Sequence, residues 1–86
     1  MKIKIIFSKR AQKELEKLDH TVKKRIDAAI KEKLEIDPAN HLIPLTGSLK
    51  NLHKFRVGDY RLICKKEDGN LIILVVTIKH RKEVYH

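Results

Sequence analysis

The stretch from His53 to Cys64, "HKFRVGDYRLIC", decides the fold. Val57 and Tyr60 bracket Gly58-Asp59, and a two-residue loop with Gly in its first position is a common hairpin connection because Gly accepts the positive φ that such turns need. The register follows: Arg56 faces Arg61, Phe55 faces Leu62, and Lys54 faces Ile63. Since side chains alternate across a strand, one face carries Phe55, Val57, Tyr60, Leu62 and Cys64, and the other carries Lys54, Arg56, Arg61 and Lys65. Like charges directly opposite each other destabilise a sheet unless a counter-charge offsets them. The second face therefore asks for an anion.

Working outward, "KIKIIF" predicts a strand over Lys2–Phe7, and Ser8 is placed to cap a helix in which Ala11, Leu15 and Leu18 form a narrow apolar stripe. Asp19-His20 interrupts the pattern. Thr21 is expected to cap a second helix, with Val22, Ile26, Ala29, Ile30 and Leu34 on one face and an end near Asp37, before Pro38. The two helices make an antiparallel hairpin. "DPANHLIPLTGS" reads as an irregular connection, followed by strands at about Leu49–Val57, Tyr60–Lys66 and Leu71–Lys79, the last two joined through "EDGN".

The strand "LIILVVTI" is apolar on both faces, which places it inside the sheet with the first strand as its second neighbour. That arrangement leaves the strand beginning near Leu49 as an edge. A turn closing at Asp68-Gly69 would set Ile72, Leu74 and Val76 beside Arg56 and Arg61, forming a basic groove with an apolar floor. The expected fold class is α+β: an N-terminal strand, a helix hairpin, and a three-stranded antiparallel meander completing one small sheet packed on the helices. Residues 1–86 are read as a single domain.

Lys and Arg number 20 against 11 Asp and Glu, a net charge of +9, which favours a polyanionic partner. No apolar run reaches the roughly 18 residues that span a bilayer, and "MKIKIIFSKR" has too short an apolar segment for a secretory signal, so no membrane partner is expected and the cytoplasm is the default location. The one cysteine, Cys64, lies on the apolar face and reads as a small buried hydrophobe. The histidines His20, His41, His53, His80 and His86 show no ligand spacing, so neither a metal nor another cofactor is expected.

The order of elements, "KFRVGDYRLIC" and the terminal "KHRKEVYH" together resemble the RelE/ParE superfamily of toxins from type II toxin-antitoxin pairs, over nearly the whole chain and with RelE as the nearer likeness. The resemblance implies a ribosome-dependent endoribonuclease that cleaves mRNA in the ribosomal A site and is neutralised by a RelB-like antitoxin. It implies catalytic positions at Lys54, Arg61, Tyr85 and one basic residue of the tail, taken as Arg81 with Lys79 and Lys82 as the alternatives, and it implies RNA-binding cations at Arg56, Lys79 and Lys82. Two departures stand out. Leu52 occupies a position where some RelE proteins carry a further lysine, and His86 follows the tyrosine, whereas YoeB ends in a His-Tyr pair.

Metal-independent cleavage needs the 2'-hydroxyl to attack its neighbouring phosphate, with one group taking a proton, another supplying one, and cations stabilising the added charge. Tyr85 is the candidate base, its ordinary pKa near ~10 requiring neighbouring cations such as Lys54 and Arg61. Arg81 serves better as a charge stabiliser than as an acid, since its pKa lies above ~12. Two other functions fit the same fold: ParE-like inhibition of DNA gyrase and a non-catalytic RNA-binding module.

Overall fold

The computed structural model describes residues 3–45, 51–69 and 71–81. The chain runs β1 (Lys4–Phe7), α1 (Lys9–Glu16), α2 (His20–Ala29, continued by a π-helical turn over Ile30–Leu34), α3 (Pro38–His41), β2 (Ile43–Pro44), β3 (Leu52–Val57), β4 (Tyr60–Glu67) and β5 (Ile72–His80). The strands form one sheet in the order β1-β5-β4-β3-β2. As expected, β5 lies inside it, parallel to β1 and antiparallel to β4. The hairpin register is the one read from the turn, with Arg56 opposite Arg61 and Val57 opposite Tyr60.

Four expectations are corrected. The strand beginning before Val57 is not an edge, because Ile43 and Pro44 pair with Lys54 and His53; a two-residue strand ending in Pro has too little alternation to be recognised, and Pro suits an edge because it donates no ladder hydrogen bond. The proposed start of β3 at Leu49 lies outside the described residues. The second helix begins at His20 with Asp19 at the N-cap, so Thr21 falls within the first turn. This helix ends in the π-turn, closed by Glu35 N–H donating to the Ile30 carbonyl (2.9 Å), and Pro38 then opens α3 at a position where its missing N–H costs nothing. Finally, Glu67 pairs with Ile72, so four residues rather than two join β4 to β5.

The core gathers on one face of the sheet. Phe55, Leu62, Cys64, Ile73 and Val75 are fully buried there with Ala11 of α1 and Ile26 of α2. Ser8 caps α1 as expected, its hydroxyl accepting from the Ala11 N–H at 3.0 Å. Among the described residues no helix is long and apolar enough to cross a membrane.

Candidate functional site

The β3–β4 turn has φ of +58° at Gly58 and no positive φ at Asp59, the two-residue turn expected with Gly first. Its tip forms one wall of an open cavity of about 170 Å³ lined by Arg56, Gly58, Asp59, Arg61 and Arg81. Arg61 is only 5% exposed although it carries a full charge, whereas Arg56 and Arg81 are exposed. Three guanidinium groups against the single Asp59 carboxylate leave the lining two positive charges in excess. In such a partly enclosed concavity a cluster of one sign focuses the field and concentrates counter-ions.

Two long-range features complete this arrangement. The β4–β5 ladder shifts register between Ile63 and Cys64: Cys64 pairs with Val75 but Ile63 pairs with Thr77, leaving Val76 as an extra residue. Such a bulge re-aims the side chains beyond it. With the uninterrupted register Ile78 would stand opposite Arg61; with the bulge Lys79 does. A row of cations, Arg56–Arg61–Lys79, therefore crosses three adjacent strands. The second feature is the Arg81 N–H, which donates to the Asp59 carbonyl at 2.6 Å and ties the end of β5 to the hairpin tip.

Of the residues expected at the site, Arg56, Arg61 and Arg81 share the cavity and Lys79 stands in register with Arg61. Lys54 lies two residues from Arg56 on β3, half-buried and paired with Ile43 and Ile63, and does not line the cavity. Lys82 and Tyr85 lie outside the described residues. The apolar floor is also corrected: Ile72 and Leu74 sit opposite Glu67 and Lys65, away from Arg61, because the longer loop and the bulge shift β5. Among the described residues no three His, Cys, Asp or Glu side chains converge in a way that could hold a metal ion.

Sequence reasoning passed over Asp59 and Glu14. Asp59 does more than turn the chain, since its carbonyl receives Arg81. Glu14 sits at the i+3 position between Ala11 and Leu15 on the stripe of α1, and a carboxylate on the inward stripe of an amphipathic helix was the available signal. It accepts hydrogen bonds from the Thr77 hydroxyl (2.7 and 3.0 Å) and the Ile78 N–H (2.8 Å). Burial alone would raise its pKa, but these bonds and the Arg10 and Lys79 charges outweigh burial and hold it below 4.5. Elsewhere, burial and then the Lys66 charge depress the His53 imidazole below 6.5, against a smaller opposing interaction in which the imidazole donates toward the Asn51 backbone carbonyl. Burial pushes the Cys64 thiol up to about 12, leaving it inert at neutral pH. His80 meets Tyr60 edge to face, with ring centroids 5.1 Å apart.

The model of the family described as "ParE toxin of type II toxin-antitoxin system, parDE" matches residues 5–85. The chain is similar in fold to a solved toxin-antitoxin complex, RelBE2 from Mycobacterium tuberculosis, with a TM-score of 0.85 and 22% identity over 94% of this chain and 100% of that one. The isolated RelE toxin of E. coli is 27% identical over 96% of this chain and 90% of its own, with a TM-score of 0.71. The RelB-RelE antitoxin-toxin complex from Methanococcus jannaschii is 27% identical with a TM-score of 0.66, covering 93% of this chain and 94% of that one. No curated protein sequence matches the chain.

Proposed function

Because this chain belongs to the ParE toxin family of type II toxin-antitoxin systems, within the RelE/ParE superfamily, we propose that it stops growth by cutting mRNA on the ribosome and that a RelB-like antitoxin silences it. The observation that carries this reading is the arginine-lined cavity at the hairpin tip, bordered by the cation row through Arg61. Its charge suits a phosphodiester that gains negative charge as the 2'-hydroxyl attacks. In this mechanism the 2'-oxygen–phosphorus bond forms as the phosphorus–5'-oxygen bond breaks; Tyr85 takes the hydroxyl proton, Arg61 and Arg81 stabilise the added charge, Lys54 contributes to the local field, and Arg81, a weak acid, passes a proton to the departing 5'-oxygen in the same step. Arg56, Lys79 and Lys82 hold the RNA backbone. An open cavity that reads no base, with a weak base and a weak acid, depends on the ribosome to fix the reacting geometry. Orientation of that kind contributes on the order of 7 kcal/mol or more.

Primer extension on programmed ribosomes tests the proposal: purified toxin should cut at the A-site codon, leave naked RNA largely intact, and lose activity as Arg61→Ala in a protein that still folds. The absence of A-site cutting by a folded parent protein would sink it. A second reading, inhibition of DNA gyrase, is favoured by the ParE description of the matching family. Loss of gyrase supercoiling at toxin concentrations that leave ribosome-bound mRNA intact would select that reading instead.

A further inference from the structure

We propose that Glu14, outside the cavity, is a positioning residue for the cationic site: acting from α1, it holds the segment of β5 that carries Lys79 and leads to Arg81. Its effect on RNA cleavage rests on the ribonuclease reading above.

The reason begins with a mismatch of strand lengths. β1 has four residues and β5 has nine, and their pairing ends at Phe7 opposite Val75. Beyond that point no strand among the described residues pairs with the outer edge of β5, and an unpaired buried N–H or C=O is costly. The chain answers with α1. Ser8 donates its N–H to the Val75 carbonyl (2.9 Å) and its hydroxyl to the carbonyl of Val76, the extra residue of the bulge (2.7 Å). One helical turn beyond Ala11, the Glu14 carboxylate takes the Thr77 hydroxyl and the Ile78 N–H. The N-cap residue of α1 and one side chain of its second turn thus do the work of a pairing strand.

The consequence reaches the cavity. Thr77–Arg81 is fixed at one end by Glu14 and at the other by the Arg81 N–H bonded to the Asp59 carbonyl. Lys79 lies between these anchors, opposite Arg61. The Glu14 charge also acts on Lys79, so the same carboxylate that fixes the backbone opposes the repulsion along the cation row. An apolar residue at position 14 could pack α1 against β5 but would leave the Ile78 N–H without its partner. Charge-assisted bonds to a carboxylate are stronger than those to a neutral acceptor, which suits a position that must hold three like charges in register.

The test compares parent, Glu14→Gln and Glu14→Ala in two measurements. The first is native-state amide hydrogen exchange by NMR, following Ile78 and Arg81 against Phe55 and Leu62. The second is single-turnover cleavage on saturating programmed ribosomes, with ribosome affinity measured separately. Gln keeps an acceptor for Ile78 but loses the charge, so it should fall between the parent and Ala in both; Ala should speed exchange at Ile78 and Arg81 by about 10-fold or more, spare Phe55 and Leu62, and slow cleavage by a similar factor at unchanged ribosome affinity. Thr77→Val, which removes one of the two donors, replaces Glu14→Ala if that variant does not fold. Exchange rising equally at all four amides, or unchanged exchange at Ile78 and Arg81, overturns the proposal, as does a loosened segment with parental cleavage. If the parent itself cuts no mRNA, the ribonuclease reading falls, and the exchange measurement alone decides whether Glu14 holds the segment.

Discussion

Arg56→Gln isolates one charge of the cavity and gives the proposed phosphate contact a measurable size. Arg56 is exposed and has no salt bridge among the described residues, so its replacement removes a cation without opening the core. Each single-strand phosphate neutralised by a protein cation contributes about −0.7 to the slope of log K against log salt, through release of condensed counter-ions. The three cavity arginines then account for a slope of about −2.1, which is about an 18-fold loss of affinity between about 50 and 200 mM salt. With two arginines the slope becomes about −1.4 and the loss about 7-fold. Other cations of the chain add to both slopes equally, so the difference of about 0.7 is the quantity to read. Fluorescence anisotropy of a short single-stranded RNA, titrated at several salt concentrations, measures it. An unchanged slope in Arg56→Gln would falsify the phosphate contact, whatever happened to affinity at one salt concentration.

Three further outcomes follow from other parts of the molecule. Gly58→Ala adds a Cβ whose nearest neighbour is Arg25 Nη1 at an unstrained 3.6 Å, so its cost comes from the φ of +58° alone; that is about 1–2 kcal/mol, with Tm falling by about 4–8 °C per kcal/mol, and an unchanged Tm refutes it. His53, depressed below 6.5 in the fold, binds its proton more readily when unfolded. Its contribution to stability is therefore present above pH 6.5 and lost as pH falls from there through the folded pKa; His53→Gln should remove that part of the Tm-against-pH curve, and an unaltered curve refutes the assignment. Tyr85→Phe keeps the ring and loses the hydroxyl, so under the proposed chemistry it slows single-turnover cleavage while ribosome binding and Tm stay at the parental level; an unchanged rate removes Tyr85 from the mechanism.

The parts of this fold that could be read from sequence are those fixed by local chemistry. Gly58-Asp59 sets a turn, the turn sets a register, and the register places Arg56 opposite Arg61. The unbroken apolar run of β5 likewise announces an interior strand. The unread parts depend on distant partners. Ile43–Pro44 becomes a strand only because Lys54 and His53 lie beside it. The bulge at Val76 reflects the fit of β4 to β5, and nothing within "LVVTI" marks which residue is extra. Arg81 reaches the cavity through a backbone bond to Asp59, 22 residues earlier (81 − 59), which no local pattern encodes. Glu14 was legible in principle as a carboxylate on an apolar stripe, but its donors Thr77 and Ile78 follow it by more than 60 residues.

The bulge also explains how so much charge is gathered without an obvious sacrifice of stability. Continuing the register set by Cys64–Val75 would pair Leu62 with Thr77 and Arg61 with Ile78. Thr77 would then lie beside fully buried Leu62, and Ile78 would face the cationic surface. One extra residue reverses both outcomes: Ile78 pairs with Leu62 and is 6% exposed, while Lys79 pairs with Arg61. Two like-charge neighbours along the row, Arg56–Arg61 and Arg61–Lys79, cost about 0.2–1 kcal/mol each by analogy with measured cross-strand pairs. Burying Ile78 contributes about 1.5–3 kcal/mol relative to leaving it exposed, which is enough to offset that repulsion. The cation row is thus tied to a packing solution that hydrophobic burial favours. Moving Lys79 off the row by removing the bulge would carry Ile78 out of the core, so the charge cluster and the core at this end of the sheet stand or fall together.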